Sequence, residues 1–369
     1  MRRPPRNRLH ARTQALSVLG TTLSLPGATA FSRAGRQPAL AETTVAGIAT
    51  TVVGPPGAPP WPALVFMNGA TPDGRRHPTV HRLSLALARA GVRVFIPDLT
   101  GVAGGELSPA TLAQAVAVSR AASSSPETTD ERVALVGVSV GGTLALLAAA
   151  DSQLQRRISV VACVAPFGDL ANVMRLATTG TYRDGAVVRH HATPAYLRIG
   201  LARSLAAMLA DTDSTAELCR ELRALDYEAS APIELPAPAF RRAGTEAERL
   251  YDLLANSDPH RFDSLFAALP AHVREAVVAL SPIHVARRLD APVEIATAPE
   301  DRYFPVAESR ALAAASPHVR LTVTSLLAHA TPRFDLRNVV ELHKLYAFFT
   351  RSFRSATSEP RLHSTVEQT

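Results

Sequence analysis

Residues 133–150 read VALVGVSVGGTLALLAAA, and this stretch decides the fold. Its first four residues form a short unbroken apolar run, as in a strand buried on both faces, and its Ala/Leu-rich second half is typical of a helix. Between the two halves, Gly137 and Gly141 stand two residues before and two residues after Ser139. Glycines at this spacing allow a serine to occupy a sharp strand-to-helix turn, where the backbone is strained and closely approached.

The alternation of strand and helix continues on both sides of this stretch. Short apolar or β-branched runs predict strands, and runs with apolar residues three and four apart predict helices. Consecutive elements of this kind are the signature of a mostly parallel sheet with helices on both faces, an α/β fold. The predicted strands are 43–53, 63–67, 92–96, 133–136, 158–164, 293–297 and 319–323, and the predicted helices are 77–90, 108–122, 141–150, 306–315 and 338–353.

The alternation stops after residue 165 and resumes at residue 291. The intervening stretch has mostly helical spacing, so we expect a helical lid or cap inserted between two strands of the sheet. The predicted organisation is a basic N-terminal arm at 1–42, a core at 43–165 and 291–354, a helical insertion at 166–290 and a disordered polar tail at 355–369.

Charge and composition exclude several classes of function. The formal net charge is +7, but seven arginines precede the first acidic residue, Glu42, and the rest of the chain has as many basic as acidic residues. A basic groove for nucleic acid is therefore not expected on the folded body. No run of eighteen or more apolar residues predicts a transmembrane helix. The sequence gives no indication of oligomeric state.

The N-terminal arm and the two cysteines leave the cellular compartment open. A basic start, a moderately apolar stretch and Ala28-Thr29-Ala30 follow the order of a secretory signal. Ser, Thr and Gly dilute the apolar stretch, which favours a loose helix or arm and a cytoplasmic protein over an exported one. Cys163 and Cys219 are too few for a disulfide framework or a zinc site. No cofactor or metal is predicted.

The Gly137–Gly142 turn has a second interpretation as a phosphate loop at a helix N-terminus. Such loops carry G-x-x-x-x-G-K-S/T or G-x-G-x-x-G, and the sequence has neither. The turn, its strand–turn–helix context and the later signals described below together resemble the α/β-hydrolase superfamily over roughly residues 43–350. That resemblance implies an α/β-hydrolase fold with a serine nucleophile, Ser139, on a nucleophile elbow.

The resemblance also implies a catalytic acid after a late strand. Asp301 begins Asp301-Arg-Tyr-Phe-Pro305, which resembles the family's stretch of Asp, two variable residues, an apolar residue and Pro. Its role would be to hold the catalytic imidazole in one tautomer and to stabilise its positive charge. Glu300 is the neighbour most easily confused with it. Asp169, just after the strand at 158–164, is the alternative acid, because some members of the superfamily place it there.

The catalytic base is expected in the loop after the last strand. His329 lies in Leu326-Leu-Ala-His-Ala-Thr-Pro332, which resembles the family's histidine loop with Ala328 in place of a frequent glycine. Of the other histidines, His284 and His318 each precede a strand. Ligand chemistry in parallel sheets collects at the carboxyl ends of strands, so these two lie at the wrong edge. The adjacent His190 and His191 in the insertion have no acidic partner for a metal site.

The expected oxyanion hole consists of two backbone N–H groups. By resemblance, one belongs to Val140, the residue after the nucleophile, and the other to Ala70 or Gly69. Asn68 stands where many relatives have histidine, a departure that leaves the backbone donors in place.

These residues predict a serine hydrolase that cleaves a carboxylic ester with an apolar group through an acyl-enzyme. The same triad would serve an acyltransferase, an amidase or a peptidase, since the fold does not fix the substrate. A non-catalytic relative that binds a ligand is the alternative from another class. A haloalkane dehalogenase or a dienelactone hydrolase would require Asp or Cys at position 139.

Overall fold

One eight-stranded sheet organises the part of the chain that the structure describes. The computed structural model describes residues 6–22, 37–210, 212–225, 244–329, 331–332 and 338–358. The strands of the sheet are β1 (Ala39–Val45), β2 (Ile48–Gly54), β3 (Trp61–Met67), β4 (Arg93–Pro97), β5 (Thr128–Val138), β6 (Ile158–Val164), β9 (Val293–Thr297) and β10 (Val319–Val323), and the short strands outside it are β7 (Thr181–Asp184), β8 (Val187–His190), β11 (Leu327–Ala328) and β12 (Thr331–Pro332).

The strand order is β1-β2-β4-β3-β5-β6-β9-β10. Strands β4, β3, β5, β6, β9 and β10 are parallel, whereas β1 and β2 are antiparallel to their neighbours. This arrangement confirms the predicted mostly parallel α/β sheet. It brings the carboxyl ends of β3, β5, β6, β9 and β10 to one edge, where the residues that follow each strand can meet.

Helices accompany the strands in the order that the sequence predicted. The helix predicted at 108–122 begins with a cap, because the Ser108 side chain accepts a hydrogen bond from the Thr111 N–H and Pro109 occupies the first helical position. The helices are α1 (Arg6–Thr22), α2 (Pro78–Arg89), α3 (Pro109–Ser123), α4 (Val140–Ala149), α5 (Leu170–Thr179), α6 (Tyr196–Ala206), α7 (Asp213–Ala224), α8 (Glu246–Ala255), α9 (Phe262–Ala267), α10 (Ala271–Ala279), α11 (Val306–Ala315) and α12 (Val339–Ala356).

Side chains alternate between the two faces of the sheet and bury both. Val65 and Leu135 belong to the larger apolar cluster, which includes residues of α3 and α4. Their chain neighbours Leu64 and Ala134 belong to the second cluster, with residues of α1, α2 and α12. The period of two along each strand places successive residues on opposite faces. The sheet is therefore covered by helices on both sides, as predicted.

The predicted opening strand at 43–53 is wrong. The structure has an antiparallel hairpin instead, with β1 and β2 joined by a two-residue turn at Ala46 and Gly47. Both turn residues have positive φ, 51° and 79°, as a type I′ turn requires. Alanine is rare at the first of these positions, so the sequence lacked the Asn-Gly or Asp-Gly signal that would have revealed the turn.

The stretch between β6 and β9 contains six of the helices described here, α5 to α10, and one hairpin. The helices agree with the predicted helical character of residues 166–290. The hairpin of β7 and β8 was not predicted. Its signal was present in the sequence as Gly185, because glycine at the first position of a two-residue turn, here Gly185-Ala186, is typical of a hairpin, and Gly185 has a φ of 62°.

Helix α1 packs on the body of the protein. Ala15, Val18 and Leu19 are buried, and the helix lies against α2 and α12. The Ala28-Thr29-Ala30 segment and the tail from residue 359 lie outside the described residues, and α12 continues to Ala356 before that tail. No helix in the described ranges combines the length and the apolar character needed to cross a membrane.

Helix α12 is tied to the sheet by a buried ion pair. Arg351 Nε donates to Glu294 Oε2 on β9 at 2.8 Å, and Arg351 Nη2 donates to Thr322 Oγ1 on β10 at 2.9 Å. Burial raises the pKa of the Glu294 carboxyl, and its hydrogen bond with Arg351 partly opposes that rise. An unpaired Glu294 would therefore be a costly buried charge.

We expect Arg351→Met to lower the free energy of unfolding at pH 7.5 by about 2 kcal/mol. A raised folded-state pKa means that protonation of Glu294 stabilises the folded state. The loss of unfolding free energy should therefore be smallest below the ordinary carboxyl pKa of 4.5. It should be complete once the pH exceeds the raised pKa of Glu294 in the folded state. Thermal melts at pH 4.5 and 7.5 measure this, with Arg310→Met, which changes an exposed arginine on α11, as control. An equal loss at both pH values would contradict the prediction.

Candidate active site

Ser139 occupies the predicted strand-to-helix turn. It follows β5 directly and precedes α4, with a φ of 54° and a ψ of −126°. The backbone fixes this turn on both sides, because Ser139 N donates to Val164 O at 2.8 Å and Thr143 N donates to Ser139 O at 3.1 Å. Positive φ is uncommon for a residue other than glycine, and such strained residues cluster at functional sites. The half-buried serine side chain is thus held at the carboxyl edge of the sheet.

The glycines around Ser139 are required by close backbone approaches. A Cβ atom on Gly137 would lie 2.2 Å from Gly141 O, which closes the turn on itself. A Cβ atom on Gly141 would lie 2.2 Å from both Met67 O and Asn68 O. The end of β3 and the loop that follows it therefore press against the first turn of α4.

The same approach brings the candidate oxyanion loop to the serine. A Cβ atom on Gly69 would lie 3.3 Å from Ser139 Cβ and 3.1 Å from Val138 O, so the backbone at Gly69 and Ala70 runs beside the elbow. Val140 is the first residue of α4, and the first N–H groups of a helix have no intrahelical partner. The structure thus brings Gly69 beside Ser139, with Val140 next to the serine and Ala70 next to Gly69 along the chain.

Asp301 and His329 form a buried pair. Asp301 is 1% exposed, and His329 Nδ1 lies 2.8 Å from its Oδ2 and 2.9 Å from its Oδ1. Asp301 Oδ1 also accepts hydrogen bonds from the backbone N–H groups of Tyr303, at 2.8 Å, and Phe304, at 3.1 Å. The carboxylate is therefore oriented by the turn that follows β9, and it fixes Nδ1 of the imidazole as the protonated nitrogen.

His329 lies in a tight turn between β11 and β12, with a φ of 56°. Its ring packs against the rings of Tyr303 and Phe304, with centroid separations of 4.2 and 5.8 Å. Ala328 stands where glycine is frequent in the family, and alanine has less backbone freedom than glycine. In the structure the left-handed conformation falls on His329 itself, so alanine at position 328 is accommodated.

The serine and the histidine follow strands of the same sheet. Val138, at the end of β5, pairs with Val164, which pairs with Ala296 next to the end of β9. Within the described ranges, the hydrogen bonds of His329 go to Asp301, and none joins its ring to Ser139. Hydrogen bonds between a catalytic base and its nucleophile are often long in a free enzyme and tighten when substrate binds.

Asp169, the alternative acid, has a different environment. Its Oδ1 accepts hydrogen bonds from the N–H groups of Ala171, at 2.9 Å, and Asn172, at 3.4 Å, and so caps the N-terminus of α5. Its own N–H donates to Glu308. The structure brings Asp301, rather than Asp169, to His329.

The rival histidines named from the sequence have other surroundings than His329. His318 directly precedes β10, and its carbonyl accepts from Val293 N at the start of β9. His284 ends a short 3-10 turn before β9. His190 ends the hairpin strand β8, and His191 stacks edge-on against Tyr182. Among the residues that the structure describes, no three His, Cys, Asp or Glu side chains are arranged to hold a metal.

A cavity of about 420 Å³ lies to one side of the elbow, and no candidate triad residue lines it. Its polar groups are already paired, because Arg175 bonds to Asp263, and Glu308 accepts from Gly168 N, Asp169 N and Asn172 Nδ2. The lining residues are Gly168, Asp169, Ala171, Asn172, Arg175, Arg183, Asp184, Gly185, Phe262, Asp263, Phe266, Ile283, Ala307, Glu308 and Ala311.

Sequence reasoning missed the aromatic residues around His329. Tyr303 and Phe304 were quoted only as variable and apolar positions after Asp301. Phe304 also packs edge-on against Phe167, at 5.3 Å between centroids, and so joins the turn after β9 to the loop after β6. Tyr303 and Phe304 stand two and three residues after Asp301, in a turn that must fold back over the imidazole. Their position in the sequence relative to the acid was therefore the available signal.

A parallel sheet with a serine elbow and a His–Asp pair at its carboxyl edge defines a hydrolase of the α/β type. The model of the Alpha/beta hydrolase family matches residues 64–342, and the chain belongs to that family. The sequence matches no protein among those with curated descriptions.

Solved structures share this fold at low sequence identity. Acylaminoacyl peptidase from Pyrococcus horikoshii is 14% identical, with a TM-score of 0.51, and the alignment covers 90% of this chain and 44% of the peptidase. This chain thus spans less than half the length of that enzyme. Est1E from Butyrivibrio proteoclasticus is 16% identical, with a TM-score of 0.46 and coverage of 86% and 99%. At these identities the likeness to the peptidase shows the fold alone.

Proposed function

We propose that the protein is a serine hydrolase that cleaves a carboxylic ester through an acyl-enzyme, with Ser139, His329 and Asp301 as its triad. The observation that carries this proposal is the buried Asp301–His329 pair, which lies at the same edge of the sheet as a serine with a φ of 54°. A carboxylate bonded to Nδ1 leaves Nε2 unprotonated, as a general base requires.

The proposed chemistry begins with attack of Ser139 Oγ on the carbonyl carbon of the ester. His329 Nε2 takes the hydroxyl proton as the C–O bond forms, and it then delivers that proton to the departing alcohol. Asp301 stabilises the imidazolium ion throughout. Water, deprotonated by the same nitrogen, attacks the acyl carbon, and the imidazolium returns that proton to Ser139 Oγ as the bond to the acyl group breaks and the acid leaves.

The oxyanion that forms at each stage needs donors that are already in position. The Val140 N–H lies at the positive end of α4, and the backbone at Gly69 and Ala70 runs beside the serine. Preorganised N–H groups of this kind contribute about 3–4 kcal/mol each to the stabilisation of the transition state. Because these donors are backbone groups, Asn68 in place of the family's frequent histidine is compatible with the reaction.

The insertion at 166–290 is proposed to act as a lid. Several of its residues contact the turn after Asp301: Tyr196, the first residue of α6, packs on Tyr303 with ring centroids 5.5 Å apart, and Thr193 Oγ1 donates to Tyr303 O at 3.4 Å. Residues of the insertion therefore lie directly beside the ring that covers His329. This position, together with the apolar side chains of the insertion, supports an ester with an apolar group as the substrate.

Labelling with a fluorophosphonate probe tests the proposal. We expect the wild-type protein to be labelled at one serine and Ser139→Ala to remain unlabelled, because an activated serine is the group that reacts. Ser152→Ala, which changes an exposed serine away from the site, should be labelled like the wild type.

Absence of labelling in folded wild-type protein would overturn the catalytic assignment and favour a ligand-binding relative. Labelling combined with faster cleavage of an amide than of the ester with the same acyl group would favour an amidase or peptidase. Faster transfer of the acyl group to an added alcohol than to water would favour an acyltransferase.

A further inference from the structure

Arg302 follows the candidate catalytic acid and is stacked on the ring that covers His329. Its guanidinium carbon lies 4.7 Å from the centroid of the Tyr303 ring, and its Nη2 donates to the Tyr303 hydroxyl. The Tyr303 ring lies 4.2 Å from the imidazole of His329. These two separations put the cation within about 9 Å of the proposed general base.

This cation has no carboxylate partner in the described part of the chain. Arg75, Arg93, Arg175 and Arg351 all form ion pairs with carboxylates. Arg302 is exposed, and it donates a hydrogen bond to the Tyr303 phenol. Asp301, the carboxylate next to it in sequence, is buried against His329 instead.

The insertion supplies a second phenol to the same place. The Tyr196 ring packs on the Tyr303 ring from the start of α6. The Tyr303 hydroxyl raises the pKa of the Arg302 guanidinium, partial burial opposes that rise, and the Tyr196 hydroxyl adds to it. The three side chains therefore gather several N–H and O–H donors and one positive charge at the side of the proposed catalytic centre.

The N–H groups of a guanidinium and neighbouring hydroxyl groups can together donate hydrogen bonds to the two oxygens of a carboxylate. Stacking on Tyr303 holds the planar guanidinium in one orientation, so less side-chain freedom is lost when an anion binds. A neutral ester would leave this charge without a counter-ion.

We propose that Arg302, Tyr303 and Tyr196 bind a carboxylate of the substrate, so that the preferred substrate is an ester with a negatively charged group near the scissile bond. This inference rests on the proposed esterase function and names its substrate class. The separation of about 9 Å from the imidazole allows roughly five bonds between the ester carbonyl carbon and the carboxylate carbon.

Two esters of equal chain length test this specificity. In 4-nitrophenyl hydrogen adipate, five bonds separate the two carbonyl carbons and the far end is charged, whereas in 4-nitrophenyl methyl adipate the far end is neutral. We expect the wild type to cleave the charged ester with a kcat/KM about tenfold higher than that of the neutral one, corrected for spontaneous hydrolysis. Added salt should reduce the preference, because it screens an exposed charge.

Arg302→Met should remove this preference. It should raise KM for the charged ester about tenfold, leave kcat nearly unchanged and leave the neutral ester unaffected, because the lost contact is made equally in the ground state and the transition state. Arg310→Met, an exposed arginine on α11, should behave as the wild type.

Equal cleavage of the two esters by the wild type would overturn the inference. So would an equal loss on both esters in Arg302→Met, since that result would mean that Arg302 only supports Tyr303 and His329. Either outcome would leave the esterase proposal standing, provided that Ser139 is labelled by the fluorophosphonate probe. Failure of the labelling, by contrast, would remove the esterase proposal itself.

Discussion

Asp301→Asn is expected to lower kcat for ester hydrolysis about 10⁴-fold without unfolding the protein. The substitution preserves shape and removes one charge. Its effect follows from the hydrogen bonds that the carboxylate receives on each of its two oxygens. Steady-state kinetics on a 4-nitrophenyl ester and a thermal melt of the same preparation measure the two parts of the prediction.

The backbone decides how the asparagine would be oriented. Asp301 Oδ1 accepts from Tyr303 N and Phe304 N, so the amide oxygen of asparagine must take that place. The amide NH2 group then occupies the place of Oδ2, 2.8 Å from His329 Nδ1. The amide oxygen stays 2.9 Å from the same nitrogen, but an N–H donor at the shorter contact favours the tautomer in which Nδ1 is the acceptor and Nε2 carries the imidazole proton. In that tautomer the nitrogen proposed to face Ser139 cannot accept its proton.

Two neighbouring carboxyls provide matched controls. Glu300→Gln makes the same change of charge one residue earlier, on an exposed side chain. Asp169→Asn changes the alternative acid, and asparagine is as good a cap for α5 as aspartate. Both variants should keep kcat within about threefold of the wild type. If Asp169→Asn lost as much activity as Asp301→Asn is expected to lose, Asp169 would have to be the acid.

The elbow could be predicted because it depends on local rules, whereas Asp301 and His329 were assigned through the resemblance to the α/β-hydrolase superfamily. A short apolar run, two glycines and an Ala/Leu helix define the turn at Ser139 within a few residues. The edge of the sheet at which Asp301 and His329 lie follows from the parallel order of the strands. These features require no knowledge of which side chains pack together.

The features that the sequence did not reveal depend on contacts between distant parts of the chain. Gly141 could be recognised as part of a turn, but its approach to Met67 O and Asn68 O depends on how β3 lies beside β5. Likewise, the packing of Tyr196 on Tyr303 joins two residues more than one hundred positions apart. The hairpin at β1 and β2 was missed for a local reason, the alanine at position 46 in a left-handed conformation.

Gly141→Ala is expected to abolish the folded, active protein, or to lower the free energy of unfolding by about 4 kcal/mol or more. The new Cβ would lie 2.2 Å from Met67 O and Asn68 O. Both contacts are with backbone atoms, so no flexible side chain can move aside. Relief requires the loop that contains Gly69 to withdraw from Ser139, and that movement would displace the proposed oxyanion donor.

Gly142→Ala separates this clash from the general effect of alanine in a helix. Both glycines lie in the first turn of α4, where alanine is favoured over glycine by roughly 1 kcal/mol. A Cβ on Gly142 would meet its nearest neighbours, Gly137 O and Pro166 Cβ, at 3.3 Å, a contact that small shifts can relieve. Gly142→Ala should therefore fold and melt within a few degrees of the wild type, while Gly141→Ala should not. Urea unfolding and ester hydrolysis of both variants measure the difference. Equal stability and activity in the two would mean that the loop after β3 does not press on the elbow, and the proposed oxyanion hole would lose its structural basis.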